Sequence, residues 1–558
     1  MEGKDDLMNE HAKAGRDKTS SDASADFELA GSEAKRSDKS SSGVVKGNLS
    51  RVSGKRETKK IDSNAKGPEL FIGLVCPVGT NTDLLVENLK DALDSVNYKS
   101  EEVRLSSLLG EFERFKGLPK EPYDDRVNAL INAGNAFCED MGNQAALAQF
   151  STGYIQEARK QEGILNEETG RAERTAFIIR SCKRPEEIDM YRAIYGSSFW
   201  LVAAYTPLEL RRSILAKKIS AENNSSQPQK YQSAADLLIE RDMDEDVVSY
   251  GQRVIEVYDR ADVFIDMRDD DCAANSVNRF IRLIFGDPFI SPNKDENSMI
   301  HAHVAKVRSG SPGRQVGAVI STKDGEIVVT GTNEVPKAGG FQYWEDDIKD
   351  HREFRDGRDV NDATKKQILR EVINLFKENG WFNQEQSEKE IRELLAESAG
   401  FMKKSQLMDL IEFYRPVHAE MAALLSAVHR GVSVAGCTLY VTTFPCHECT
   451  RHVIAAGIDR VVYISPYPKS RAVDLHGDSI VVDPNRFQKG MVNFEPFKGI
   501  SPNRYIELFE RGKRKDSKTG KPAKLDRNSA TPINPSQVAY ISNENHLWKA
   551  IKDKLEGF

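Results

Sequence analysis

No stretch of this 558-residue chain is apolar for the length that a membrane span requires. Its first residues, Met1 to Asp6, bring no apolar leader, so neither a membrane nor an exported protein is expected. Cysteine is scarce: seven, scattered at positions 76, 138, 182, 272, 437, 446 and 449. An odd, sparse set excludes a disulfide framework and points to a reducing, cytoplasmic setting. Excess positive charge is missing too. Lys and Arg total 79 against 86 Asp and Glu, a net charge of −7, which argues against a general polynucleotide-tracking surface. Aromatic residues make up only 8%, few for the stacking platforms of a single-strand binder. What is present, 39% hydrophobic and 30% charged residues, suits a globular chain of about three to four units with some unstructured sequence.

Residues 1–66 are rich in Ser, Lys, Asp, Glu and Gly and show no apolar period. They cannot bury enough surface to offset chain entropy, so a disordered tail is expected. Its basic end (Arg51, Lys55, Arg56, Lys59, Lys60) reads as solvated. Order is predicted from Pro68-Glu-Leu-Phe-Ile-Gly-Leu-Val, a buried strand, through a glycine turn into a helix with Leu84, Leu85, Leu89 and Leu93 on one face. Gly73, Gly79, Thr80, Asn81 and Thr82 are the candidate nucleotide-binding residues of this P-loop-like start. Thr80 replaces the Lys of a Walker loop, and Asn81 stands where the magnesium-binding hydroxyl belongs. Backbone amides can still cradle a phosphate, but phosphoryl transfer is not expected. Apolar runs at Thr175-Ala-Phe-Ile-Ile, Phe199-Trp-Leu-Val-Ala-Ala-Tyr and Ala261-Asp-Val-Phe-Ile-Asp alternate with helical patterns. Residues 67–288 are therefore predicted to form a doubly wound α/β domain. Arg211 and Arg212 read either as phosphate-facing residues or as a helix's solvated face.

Residues 289–558 open with Ser291-Pro-Asn-Lys-Asp-Glu and a helix through Met299, then strands at Arg314-Gln-Val-Gly-Ala-Val-Ile-Ser and Glu326-Ile-Val-Val-Thr-Gly-Thr. Together with Gly457-Ile-Asp-Arg-Val-Val-Tyr-Ile-Ser they predict a mixed α/β sandwich. An insertion over 337–415 has helical periods (Ile368, Val372, Ile373, Phe376; Ile391, Leu394, Leu395) and reads as a lid, a regulatory element or an oligomer contact. The chemistry lies between His418 and Cys449. His418-Ala-Glu420 and Pro445-Cys446-His-Glu-Cys449 form the H-x-E…P-C-x-x-C signature of zinc nucleobase deaminases. One imidazole and two thiolates leave zinc a fourth position for water, as in a catalytic site. Zinc brings that water's pKa near neutrality. Glu420, two residues past the His ligand, is then free to shuttle protons. A bare C-x-x-C also serves structural knuckles and redox pairs; His447 is poorly placed as a fourth ligand, and a redox pair gives no reason for His-Ala-Glu.

These residues carry a family resemblance. With Arg314-Gln-Val-Gly-Ala-Val-Ile, Gly331-Thr-Asn333-Glu-Val-Pro336, His418-Ala-Glu420 and Pro445-Cys446-x-x-Cys449, the second half resembles deoxycytidylate deaminases. The chain from about residue 68 is similar to the two-domain anti-phage dCTP deaminases, which join a P-loop kinase-like domain (here 67–288) to a cytidine-deaminase-like α/β sandwich (here 289–558). The resemblance implies one Zn2+ on His418, Cys446 and Cys449, Glu420 as proton shuttle, Asn333 on the base or sugar, and Arg314 and Lys469 on the nucleotide. It implies deamination of free dCTP, with dCMP as a further substrate, depleting deoxycytidine nucleotides in antiviral defence. A nucleotide at the P-loop-like domain, an inhibitory small RNA and a homo-oligomer are the partners it implies. A housekeeping dCMP deaminase and a polynucleotide cytidine deaminase are the alternatives.

Overall fold

The computed structural model describes residues 67–161, 165–166, 169–245, 250–381, 405–467, 469–484, 487–512, 514–535 and 540–555. The expected tail over 1–66 and the insertion's second helical period, around Ile391, Leu394 and Leu395, lie outside the described residues. Within Ser63–Phe558, a single unit, two six-stranded sheets form the framework.

The first sheet takes β1 (Leu70–Val75), β2 (Lys99–Arg104), β3 (Thr175–Arg180), β4 (Phe199–Tyr205) and β5 (Val263–Asp266), all parallel, in the spatial order β2-β3-β1-β4-β5. β1, β3, β4 and β5 are buried at every position, as parallel strands are when helices cover both faces. The connecting helices include α1 (Thr82–Asp94), α2 (Ala146–Gln161), α3 (Leu208–Glu222), α4 (Gln232–Met243) and α5 (Val254–Asp259).

The second sheet follows α6 (Lys294–Val307), whose start is fixed by a capping box between Asn293 and Glu296. β6 (Gly317–Ser321) and β7 (Ile327–Thr332) form an antiparallel pair at one edge. The insertion then supplies α7 (Val360–Glu378). After it come α8 (Ala419–Arg430), β8 (Thr438–Thr443), α9 (His447–Ala455), β9 (Arg460–Ser465), β10 (Ile480–Val482) and β11 (Val492–Pro496). The spatial order is β10-β11-β9-β8-β6-β7. β8, β9, β11 and β10 run parallel, and β6 lies antiparallel to β8.

The expected boundary at 288/289 needs correction at its far end. β12 (Gly499–Ile500) returns to the first sheet and pairs antiparallel with β5. There it satisfies backbone groups that an edge strand leaves open. A final helix, α10 (Tyr540–Leu555), packs on α2. Between them Arg159 holds Glu69 at 2.7 and 3.0 Å and Glu544 at 2.6 and 2.9 Å. One core also spans the sheets, with Phe264 of β5, Met299 of α6, Val319 of β6, Tyr440 of β8 and Val462 of β9 in the same cluster. Gly499–Ile500 and Tyr540–Leu555 thus join the first sheet and its helices.

Candidate metal and active site

Two helix starts bring the motif together. His418 is the residue before α8, and Cys446 the residue before α9, where its Sγ accepts the Cys449 amide at 3.4 Å. His418 Nδ1 lies 3.4 Å from Cys446 Sγ and 3.3 Å from Cys449 Sγ. Among the described residues these three make the one metal-competent group, all ligand atoms within 4.8 Å of one another. His447, His301 and His303 are not part of it. The donor set fits zinc: a borderline cation with one nitrogen and two sulfurs and, among the described residues, no fourth protein ligand.

The sheet places the helices by close approach. At Gly331 in β7, a Cβ would stand 2.1 Å from the Ala419 carbonyl oxygen and 2.4 Å from the Ala423 nitrogen. Only glycine lets α8 sit this low on the strand. Gly331→Ala is expected to lift α8, destabilise the protein by about 3 kcal/mol and reduce bound zinc. Thermal unfolding with metal analysis checks this, and wild-type values for both would contradict it.

Glu420 is 4% exposed. Burial pushes its carboxyl up to about 7, with the negative charge of Cys446 adding to the shift. Hydrogen bonding with Cys449 is the largest influence on Cys446 and lowers its thiol to about 4, against burial and with help from His418. Cys449 is held well above the ordinary thiol range by the same hydrogen bond and by burial. Burial alone would lower His418; its contact with Cys446 and the charges of Glu420 and Glu448 together outweigh that and hold it at about 9. The cluster therefore carries protons that a divalent cation would displace on binding.

A cavity of about 300 Å³ opens on this group, and His418, Glu420, Cys446, Arg314 and Asn333 all line it. Asn333 is turned to an unexpected task. Its Nδ2 donates to the Arg314 carbonyl at 2.7 Å and its Oδ1 accepts the Val316 amide at 2.6 Å. The side chain thus ties down the wall over 314–316. Arg314 is braced from the first sheet's side by Asp259, at the end of α5, 3.3 Å away. Lys469 is exposed on the loop after β9; Tyr467 of that loop lines the cavity and Lys469 does not. The sequence reading missed Asn361, Ile411 and Tyr414, through which the insertion builds part of the wall. The Tyr414 ring meets His418 edge-on at 5.6 Å. The only signal for them was their place in an insertion just before the His ligand. A larger cavity, about 700 Å³, lies between α6 and α8 and is lined by none of His418, Glu420, Cys446, Arg314 and Asn333.

In the P-loop-like region Gly73 is misread by sequence. It sits inside β1, where a Cβ would come within 2.7 Å of the Phe199 ring, so it is a packing glycine. Asn81 caps α1 by accepting the Leu84 amide at 3.3 Å. Thr80 is buried with Oγ1 unpartnered. The Val78 amide already donates to the Asp242 carboxylate at 2.8 Å, and Lys183 pairs with the other Asp242 oxygen at 2.8 Å. Arg211, 8% exposed, has Nε and Nη1 buried without a partner.

Residues 292–465 match the model of the cytidine and deoxycytidylate deaminase zinc-binding region. The match takes in His418, Glu420, Cys446 and Cys449. The deoxycytidylate deaminase of Enterobacteria phage T2 is 40% identical over 55 residues, 10% of this chain and 29% of its own. The probable deoxycytidylate deaminase of Drosophila melanogaster is 36% identical over 118 residues, 19% of this chain and 57% of its own. The chain thus spans between 29% and 57% of the length of these relatives. Among solved structures, the apo dCMP deaminase of cyanophage S-TIM5 aligns with 37% of this chain and 100% of its own, at 17% identity and a TM-score of 0.20. The family match and the His/Cys/Cys group assign one Zn2+ to this deaminase region. Among the described residues, no helix is long and apolar enough to cross a membrane.

Proposed function

We propose that this chain hydrolyses the exocyclic amine of free deoxycytidine nucleotides, dCTP and also dCMP. The observation that carries this reading is the buried Glu420 beside the three-ligand group in a cavity of about 300 Å³. Bound to His418, Cys446 and Cys449, zinc supplies a Lewis acid that makes water acidic enough to react at neutral pH. Glu420 accepts a proton from the attacking water and delivers protons to ring nitrogen N3 and to the departing amine. A C4–O bond forms, the C4–N bond breaks and ammonia leaves, with no electron transferred. Asn333 keeps the 314–316 wall in place, while Arg314 and Lys469 are proposed to meet the phosphates. The net acidic chain supports free nucleotides over a polynucleotide substrate. Turnover of dCTP, dCMP, CTP and a cytosine-containing single strand, compared side by side, tests the substrate class; uracil formed only in the strand would overturn it.

For the first sheet's turn over Gly79–Thr82 we propose phosphate binding without phosphoryl transfer. The buried, unpartnered Arg211 nitrogens support it, and Asp242 is the group that a phosphate must displace from the Val78 amide. Calorimetric titration of Glu420→Ala protein with dNTPs is expected to show a second binding event that Arg211→Gln removes. A single event, unaffected by Arg211→Gln, would contradict it. The antiviral role, the inhibitory small RNA, the cytoplasmic setting and the homo-oligomer rest on the family resemblance and on composition.

A further inference from the structure

Asn361 opens the insertion's helix α7, far in sequence from the motif, yet it lines the cavity that holds His418, Glu420 and Cys446. It is 7% exposed. Its Nδ2 donates to the Leu410 carbonyl at 3.0 Å, which fixes the amide's orientation, and leaves Oδ1 buried with no hydrogen-bond partner. An unsatisfied buried carbonyl costs about 1–3 kcal/mol, and native proteins retain few of them without a reason. Asn333, the other amide in the wall, has both ends engaged by backbone. Among the described residues the wall therefore offers one amide acceptor in want of a donor.

A deoxycytidine nucleotide carries two kinds of donor at neutral pH: the exocyclic amine and the sugar 3′-hydroxyl. The amine is at the reacting carbon and belongs beside Glu420 and the metal ligands. The hydroxyl is left for the wall that the insertion supplies. We propose that Asn361 Oδ1 accepts a hydrogen bond from the substrate's 3′-hydroxyl, making the insertion a substrate-recognition segment. This rests on the deaminase reading above.

The test pairs a residue with a substrate atom. Wild type and Asn361→Ala are each given dCTP and dCMP, and the 2′,3′-dideoxy counterpart of each, and kcat/KM is measured. Loss of one such hydrogen bond corresponds to about a tenfold change. Wild type is expected to lose about tenfold on removal of the 3′-hydroxyl. Asn361→Ala should lose about tenfold on the normal nucleotide and nothing further on the dideoxy one. Losses that multiply, so that Asn361→Ala also discriminates about tenfold, would overturn the proposal and leave Asn361 a purely structural residue. If Asn361→Ala does not fold, wild type still decides: equal kcat/KM on the normal and dideoxy nucleotides overturns it. Failure to turn over any nucleotide would instead overturn the deaminase reading, and this inference with it.

Discussion

Glu420→Ala is expected to lower deamination about a thousandfold while leaving zinc bound and the fold intact. A positioned general acid–base is worth roughly 10²–10⁴ in rate, and among the described residues Glu420 is the one carboxylate lining the cavity that opens on the metal group. It stands outside the set His418, Cys446 and Cys449, so metal content should stay at one ion per chain. Stability should not fall either, because the wild-type protein buries this carboxyl at a cost that its raised pKa records. Steady-state rates and metal analysis on the same preparations check both halves. A wild-type rate would remove Glu420 from the mechanism. Lost zinc would make it a ligand rather than a proton carrier.

Arg159→Ala is expected to destabilise the protein by about 3–5 kcal/mol, because it strands two buried carboxylates. The Arg159 side chain is 2% exposed and those of Glu69 and Glu544 are 0%. Glu69 also accepts the Ala172 amide at 2.6 Å and the Tyr540 hydroxyl at 2.7 Å. Those bonds do not replace the lost positive charge. Burial already holds Glu544 above the usual carboxylate range, with Arg159 the main opposing influence. Without Arg159 its folded-state pKa rises further. A carboxyl whose pKa is raised by folding opposes folding above that pKa and ceases to do so once protonated, so the deficit should shrink as pH falls from 7 towards 5. Denaturant titrations at the two pH values check the size and the sign. A change under about 1 kcal/mol, or a deficit that grows in acid, would contradict this account of the α2–α10 joint.

The metal ligands were legible because their geometry is local. A His just before one helix and a C-x-x-C starting another fix three donor atoms through backbone that the sequence itself specifies. The parallel strands were legible from their continuous apolar runs, as at Phe199–Tyr205. Asn361 and Tyr414 were not, because nothing in a charged helical insertion says which turn will face a cavity built by the segment before β6 and the start of α8. Asn333 lines the cavity, but its commitment to Arg314 and Val316 depends on a loop's path that spacing does not encode. Gly73 misled for a simple reason: a glycine near a turn and a glycine that makes room for Phe199 look alike in sequence. The return of Gly499–Ile500 to β5 was hidden in a two-residue strand, too short for any period to register.

The most direct measurement follows ammonia and deoxyuridine nucleotide production from dCTP and dCMP by purified protein, with and without a zinc chelator. Deamination of the free nucleotides that disappears with the chelator and returns with added Zn2+ is the predicted result. Deamination that survives complete removal of zinc, or no turnover of either nucleotide by zinc-loaded protein, would contradict the central claim.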